Sequence, residues 1–258
     1  MFYRSGLHVS INITYEDHIA IISLELTEDC FDWESLSELI EHASAINMDV
    51  ENIYAVVIHS LNSSFAKGWS HEILNMAPED QIAVGSAFTA IANIKQPVIV
   101  AMSGSILSAG LELALSCDIR IAATNSLFAF PETKMGYVPL AGATQRLPRA
   151  IGRSNALRML LTGEQINADE ALRIGLVSEL IDEERLDLKA KEIAKIIASR
   201  GPIATRFAKE AILRGSEIGL SEGLQTELDL TVILQTTEDR AEGVAAFMEK
   251  RDPVFKNR

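Results

Sequence analysis

Short apolar runs and helical stripes alternate along this chain. His18 to Leu26 (HIAIISLEL) and Tyr54 to His59 (YAVVIH) are apolar runs of strand length. Between them Trp33, Leu36, Leu39, Ile40 and Ala43 recur at helical spacing, which predicts an amphipathic helix over residues 33–46 with Asp32 as its N-cap. An acidic turn, residues 29–32, leads into it. Strand, helix and strand in this order predict an α/β architecture, and a doubly wound sheet begins in the same way.

Residues 77–94 predict a second helix, with Pro78 early and Ile82, Phe88 and Ile91 on its apolar side. Pro97 to Ser103 (PVIVAMS) reads as a strand, Gly104 to Gly110 as a close-packed turn of small residues, and Leu111 to Leu115 as a helix. The run IRIAA, a turn at Asn125–Ser126 and LFAFP follow, then a loop over residues 134–143 with Gly136, Pro139 and Gly142. Short helices are expected at 144–151 and 154–161. From Thr162 the pattern is nearly all helical: Asn167 caps ADEALRI, Gly175 ends it, and LVSELI is an extended exit. Helices at 186–199, 202–213, 220–236 and 241–250 complete the chain.

Length and composition narrow the class. A chain of 258 residues with 48% apolar content has enough material for a substantial core. No apolar run approaches an uninterrupted twenty-mer, so no membrane insertion is expected. The opening MFYRSGLHVS lacks the apolar stretch of a secretory signal, and the two cysteines, Cys30 and Cys117, supply neither a disulfide framework nor a metal cluster. Two buried thiols in a reduced, cytoplasmic setting are the simpler expectation, with a Cys30–Cys117 pairing left open. The net charge of −13 is uneven: residues 1–100 carry −11 and the remainder −2. Nucleic acid would be repelled over much of this surface. The chain has no G-x-G-x-x-G start, Walker A sequence, H-E-x-x-H or G-x-S-x-G elbow.

Candidate chemistry concentrates in Ser103 to Glu132. Glu112 lies inside an apolar helix, so its carboxylate either snorkels to solvent or sits in a pocket. The N–H groups of Ser108, Ala109 and Gly110 stand where a turn feeds a helix, suited to half of an oxyanion hole; alternatively the small residues serve close packing. Glu132 follows Pro131, whose fixed φ stiffens the approach. Two acids near a polarised carbonyl suit general acid–base work.

SGSILSAGLELALSCDIRIAA and FAFPETKMGYVPLAGATQRLPRAIG resemble the signature region of the enoyl-CoA hydratase/isomerase, or crotonase, superfamily. FAKGWS at 65–70, LLTGEQINADEALRIGLVSELI at 160–181 and TEDRAEGVAAFMEKRDPVF at 237–255 extend the resemblance over nearly the whole chain. The resemblance implies a spiral of repeated ββα units, with a core over residues 1–198 and a helical lid and trimerisation region over residues 199–258. It further implies a homotrimer or dimer of trimers and a coenzyme A thioester as substrate, with no permanently bound cofactor and no metal. By position, the oxyanion donors are the N–H groups of Trp69 and Ala109, and the catalytic acids are Glu112 and Glu132. Ala66, Lys67, Gly68 and Lys250 are the implied coenzyme A contacts.

Both glutamates together point to reversible hydration of a 2-enoyl-CoA. A double-bond isomerase, another transformation of the superfamily, or a non-catalytic acyl-CoA-binding protein are the alternatives. Trp69 followed by Ser70 departs from the superfamily's usual small residue and Asp, so the indole either narrows the acyl pocket, stacks on ligand or packs in the core. His71 is expected to face solvent. Arg146, Arg149, Arg153 and Arg158 form either a phosphate patch or structural ion pairs.

Overall fold

A computed structural model describes residues 10–258, apart from the side chains of residues 78, 79 and 82; the expected burial of Ile82 therefore lies outside the described residues. After a hairpin of β1 (Ile11–Glu16) and β2 (Ile19–Leu24), the chain makes a series of similar turns. The first runs from β2 through a short β3 (Cys30–Phe31) to α1 (Trp33–Met48). The second is β4 (Ala55–Ser60), β5 (Gly68–Trp69), the one-turn α2 (His71–Leu74) and α3 (Pro78–Ala92). The third is β6 (Val98–Met102), β7 (Ser105–Leu107) and α4 (Ala109–Leu115). A fourth has β8 (Ile119–Ala123) and β9 (Leu127–Ala129), a 3₁₀ turn at Glu132–Met135, then α5 (Ala143–Ile151) and α6 (Arg153–Thr162). The chain continues through β10 (Ile166–Asn167), α7 (Ala168–Arg173), β11 (Glu179–Ile181) and α8 (Leu186–Ala198). It ends with α9 (Pro202–Gly215), α10 (Leu220–Leu234) and α11 (Glu238–Glu249).

The first strand of each turn joins one six-stranded sheet of order β1-β2-β4-β6-β8-β11, parallel except for the hairpin. The second strands build a smaller wall, β3 with β5 and β7 with β9 and β10, linked by a bridge between Ala66 and Ile106. This is the expected spiral of ββα units. Parallel strands need a crossover and both faces covered, so their residues are apolar on both sides. Ile19, Ile21, Val57, Ile99 and Ala101 pack on Leu186, Ala190 and Ala194 of α8. Ile22, Val56, Ile58, Val98 and Val100 join the larger core with α1, α3 and α4.

Several local expectations change. The capping box of Asp32 and Ser35 starts α1 as read, but the buried stripe is Leu36, Leu39, Ala43 and Ile46. Trp33 and Ile40 lie on the flank of that arc, 42% and 36% exposed. Part of the acidic turn at 29–32 is the strand β3, and the small-residue turn at 104–110 contains β7, because each pairs with a strand distant in sequence. The expected strand at residues 18–26 is preceded by β1, whose polar residues mark an edge strand. α11 begins at Glu238 rather than Ala241, since the Thr237 hydroxyl accepts from Arg240 N–H. Both cysteines are free thiols; Cys117 is buried and Cys30 is only partly so.

The C-terminal helices are tied to the core by Lys209, 9% exposed at its side chain. Its ammonium donates to the carbonyls of Ile94 (2.7 Å) and Gln96 (2.9 Å) and pairs with Asp118 (2.6 Å). Among the described residues no helix is long and apolar enough to cross a membrane.

Candidate active site

Two turns of the smaller wall meet at Gly110. A Cβ there would lie 2.5 Å from the Ala66 carbonyl oxygen, so glycine lets the start of α4 press against residue 66. Leu107 N–H donates to that carbonyl (2.9 Å), and Ser108 N–H donates to Ala129 O (3.0 Å). Ser108 takes a positive φ of 48°, a strained conformation for a residue with a side chain, as the chain swings into the helix. Close packing and N–H groups without an intrahelical partner therefore coexist in the small-residue run. The N–H groups of Ala109 and Gly110 precede the helix's first bond, Glu112 N–H to Ser108 O at 3.0 Å.

The second donor turn runs alongside. Ser70 N–H donates to Phe31 O (2.8 Å), toward β3. Successive strand residues point their N–H groups to opposite edges, so Trp69 directs its own away from β3. Beyond Gly68, which a Cβ would bring to 3.4 Å from Ser108 Cβ, stands the turn that leads to Ala109. The fold thus brings Trp69 and Ala109 to neighbouring turns.

Glu112 is fully buried on α4 and does not snorkel. Its Oε1 accepts from Ala141 N–H (2.8 Å) and Ala143 N–H (3.0 Å), while no described residue bonds its Oε2. Burial pushes this carboxyl up to about 7, against the pull of the two N–H groups and with a further push from Glu132. Glu132 opens the 3₁₀ turn after Pro131 and is also fully buried. No hydrogen bond of good geometry reaches either of its oxygens from the described residues, nor does Ser108 Oγ make one. Burial raises its pKa, and the nearby Ser108 hydroxyl opposes the rise. The Tyr137 phenol is raised by burial and by both carboxylates, so all three groups lie within electrostatic reach of one another. The site thus holds two carboxyls in unlike surroundings beside two donor turns, an arrangement suited to moving protons near a polarised carbonyl.

Sequence reasoning passed over the turn at Ala141–Ala143, Tyr137 and the Ser108 hydroxyl. Gly142, at φ 109°, was the available signal, because a left-handed glycine between two alanines turns two N–H groups to one side. Trp69 is 5% exposed; its indole stacks on Phe88 (centroids 5.5 Å) and leans on Phe31 (6.3 Å). It packs in the core, and its Nε1 finds no partner among the described residues.

Lys67 pairs with Asp29 at 2.7 Å while half exposed, and its backbone adjoins Ala66 and Gly68. Lys250 lies on a separate, C-terminal element. It closes α11 in a left-handed conformation, on a helix whose Gly243 meets Phe255 of the tail. His71 faces solvent as expected. The arginine cluster is largely paired: Arg149 with Glu217, Arg158 with Glu164 and Glu170, and Arg146 with the Ala141 carbonyl. A cavity of about 420 Å³ lined by Ala204, Leu234, Val244, Phe247 and Phe255 contains none of the site residues. No cluster of three or more metal-ligating side chains occurs among the described residues.

The family model for enoyl-CoA hydratase/isomerase matches residues 15–258. The (E)-benzylidenesuccinyl-CoA hydratase of Thauera aromatica is 34% identical over 252 residues, covering 95% of this chain and 98% of that protein. The crotonyl-CoA hydratase of Syntrophomonas wolfei is 34% identical over 253 residues, covering 95% and 97%. Among solved structures, an enoyl-CoA hydratase from Bacillus anthracis superposes with a TM-score of 0.92 at 36% identity, covering 96% of this chain and all of that one.

Proposed function

Because the chain belongs to the enoyl-CoA hydratase/isomerase family, we propose that it catalyses the reversible hydration of a 2-enoyl-CoA to a 3-hydroxyacyl-CoA. One observation carries this reading: two fully buried carboxyls stand within electrostatic reach of each other, and one accepts two backbone N–H bonds while the other accepts none from the described residues. In a pair holding a single proton, the N–H donors favour the anion on Glu112 and leave the proton on Glu132. Glu112 then orients a water and takes its proton as the oxygen attacks C3. Glu132 gives its proton to C2. The thioester oxygen gains charge as C2 becomes enolate-like, and the N–H groups of Trp69 and Ala109 stabilise it. The reverse reaction exchanges the roles.

Coenzyme A is the proposed ligand of the 66–68 loop through the backbone of Ala66 and Gly68 and the Lys67 ammonium. Lys250 stands on a separate element, so its contact with coenzyme A is assigned to a neighbouring copy in a trimer or dimer of trimers. Exposed Leu220, Leu224, Leu228, Phe247 and Met248 on α10 and α11 support burial of the region beyond residue 199 between copies. Two free thiols support a reducing, cytoplasmic setting.

Loss of the enoyl thioester's ultraviolet absorbance tests the reaction, using C4, C8 and aryl-conjugated enoyl-CoA substrates with product identification. A 3-hydroxyacyl-CoA is expected from at least one. A shifted double bond without hydroxylation would instead assign an isomerase, and no conversion of any substrate would overturn both.

A further inference from the structure

Arg146 belongs to an arginine cluster that coenzyme A binding left open, and its contacts point inward. From α5 its Nη1 donates to the Ala141 carbonyl at 2.8 Å. The N–H of that same residue, with that of Ala143, holds Glu112 Oε1. Gly142 lies between them at φ 109°, and a Cβ there would fall 2.7 Å from Arg146 Nη1. The guanidinium is therefore packed over the outer side of a turn whose inner side grips the carboxylate. It also lines an open groove of about 620 Å³ beside Gly85, Thr89 and Leu140.

We propose that Arg146 is a positioning residue for hydration: it fixes the 141–143 turn and sets a cation behind the N–H groups that hold Glu112. This rests on the reading of Glu112 as the base. The chain of contact is Arg146 to Ala141 O, then Ala141 and Ala143 N–H to Glu112. The charged and titratable groups facing Glu112 are Glu132 from the 3₁₀ turn, Tyr137 from the following loop and Arg146 from α5, with Cys117 beside Arg146. Glu132 when ionised disfavours the anion, Tyr137 is neutral where Glu112 titrates, and Arg146 is the cation among them. Arg146 in turn is held charged by Glu112 against the burial that lowers its own pKa.

Two variants separate charge from position, with fold checked by circular dichroism. Arg146→Met removes both, so kcat is expected to fall about 10- to 100-fold through a misplaced carboxylate. The acid limb of its kcat/KM profile should also rise by about one pH unit. Arg146→Lys keeps the charge but not the reach, so its limb should stay near wild type while kcat falls. Acyl-CoA affinity, measured by calorimetry, should hold in both. An unmoved acid limb in folded Arg146→Met overturns the proposal, as does weakened acyl-CoA affinity with kcat intact, which would make Arg146 a phosphate ligand. If Arg146→Met does not fold, an unchanged kcat in Arg146→Lys overturns the positioning role on its own. Failure of wild-type hydration, or full hydration by Glu112→Gln, would strike the reading of Glu112 instead.

Discussion

Replacing Glu112 by glutamine should stabilise the fold at alkaline pH while disabling the site. The folded carboxyl titrates at about 7 against an ordinary 4.5, raised mainly by burial. Between those values the folded chain retains a proton that the unfolded chain releases, so stability falls as pH rises through the window. Above it the full cost of burying the anion, about 3 kcal/mol, is present; below 4.5 it vanishes. Glutamine is neutral throughout and its carbonyl oxygen can still accept from Ala141 and Ala143. For a chain of this size about 1 kcal/mol moves Tm by about 2–4 °C, so Glu112→Gln should melt about 6–12 °C higher at pH 8.5. At pH 4.5 the two should nearly coincide. Thermal unfolding by circular dichroism at pH 4.5, 6, 7 and 8.5, at one protein concentration, measures this. A difference independent of pH, or a less stable glutamine variant at pH 8.5, would refute the argument.

Ala109→Pro deletes an oxyanion donor and should abolish turnover in a folded protein, whereas Ala109→Gly keeps the donor and costs activity only through lost rigidity; steady-state kinetics compares them. Trp69→Ala leaves the backbone donor but empties a packed aromatic site, so urea unfolding should show a loss of about 3–5 kcal/mol, with Trp69→Phe losing less. A shift in acyl-chain preference without that loss would place the indole in the acyl pocket. Lys209→Met should destabilise by about 3–5 kcal/mol in the same assay, because Asp118 is left without its cation.

The main strands and helices were legible because both faces of the sheet are apolar and the helices carry caps such as Asp32 and Asn167. The short strands β3, β5 and β7 were not, since two or three residues carry no periodicity and their pairing is set by distant partners. The glutamates and the turn beside Ala109 were found through motif order, and their burial was not. An isolated glutamate in an apolar helix does not reveal that two N–H groups from a turn 29 and 31 residues later will hold it. Trp69 was ambiguous for the same reason: only the placement of Phe31 and Phe88 shows that its indole packs in the core.

The central claim is that Glu112 and Glu132 act together on one enoyl thioester. Mass spectrometry of the product formed in heavy-oxygen water and in deuterium oxide, by wild type and by folded Glu112→Gln and Glu132→Gln, tests it most directly. Wild type should place heavy oxygen at C3 and deuterium at C2, and each variant should bind acyl-CoA yet lose about 10²- to 10⁴-fold in rate. Hydration at the wild-type rate by either variant, or deuterium exchange between C2 and C4 with no oxygen at C3, would contradict it.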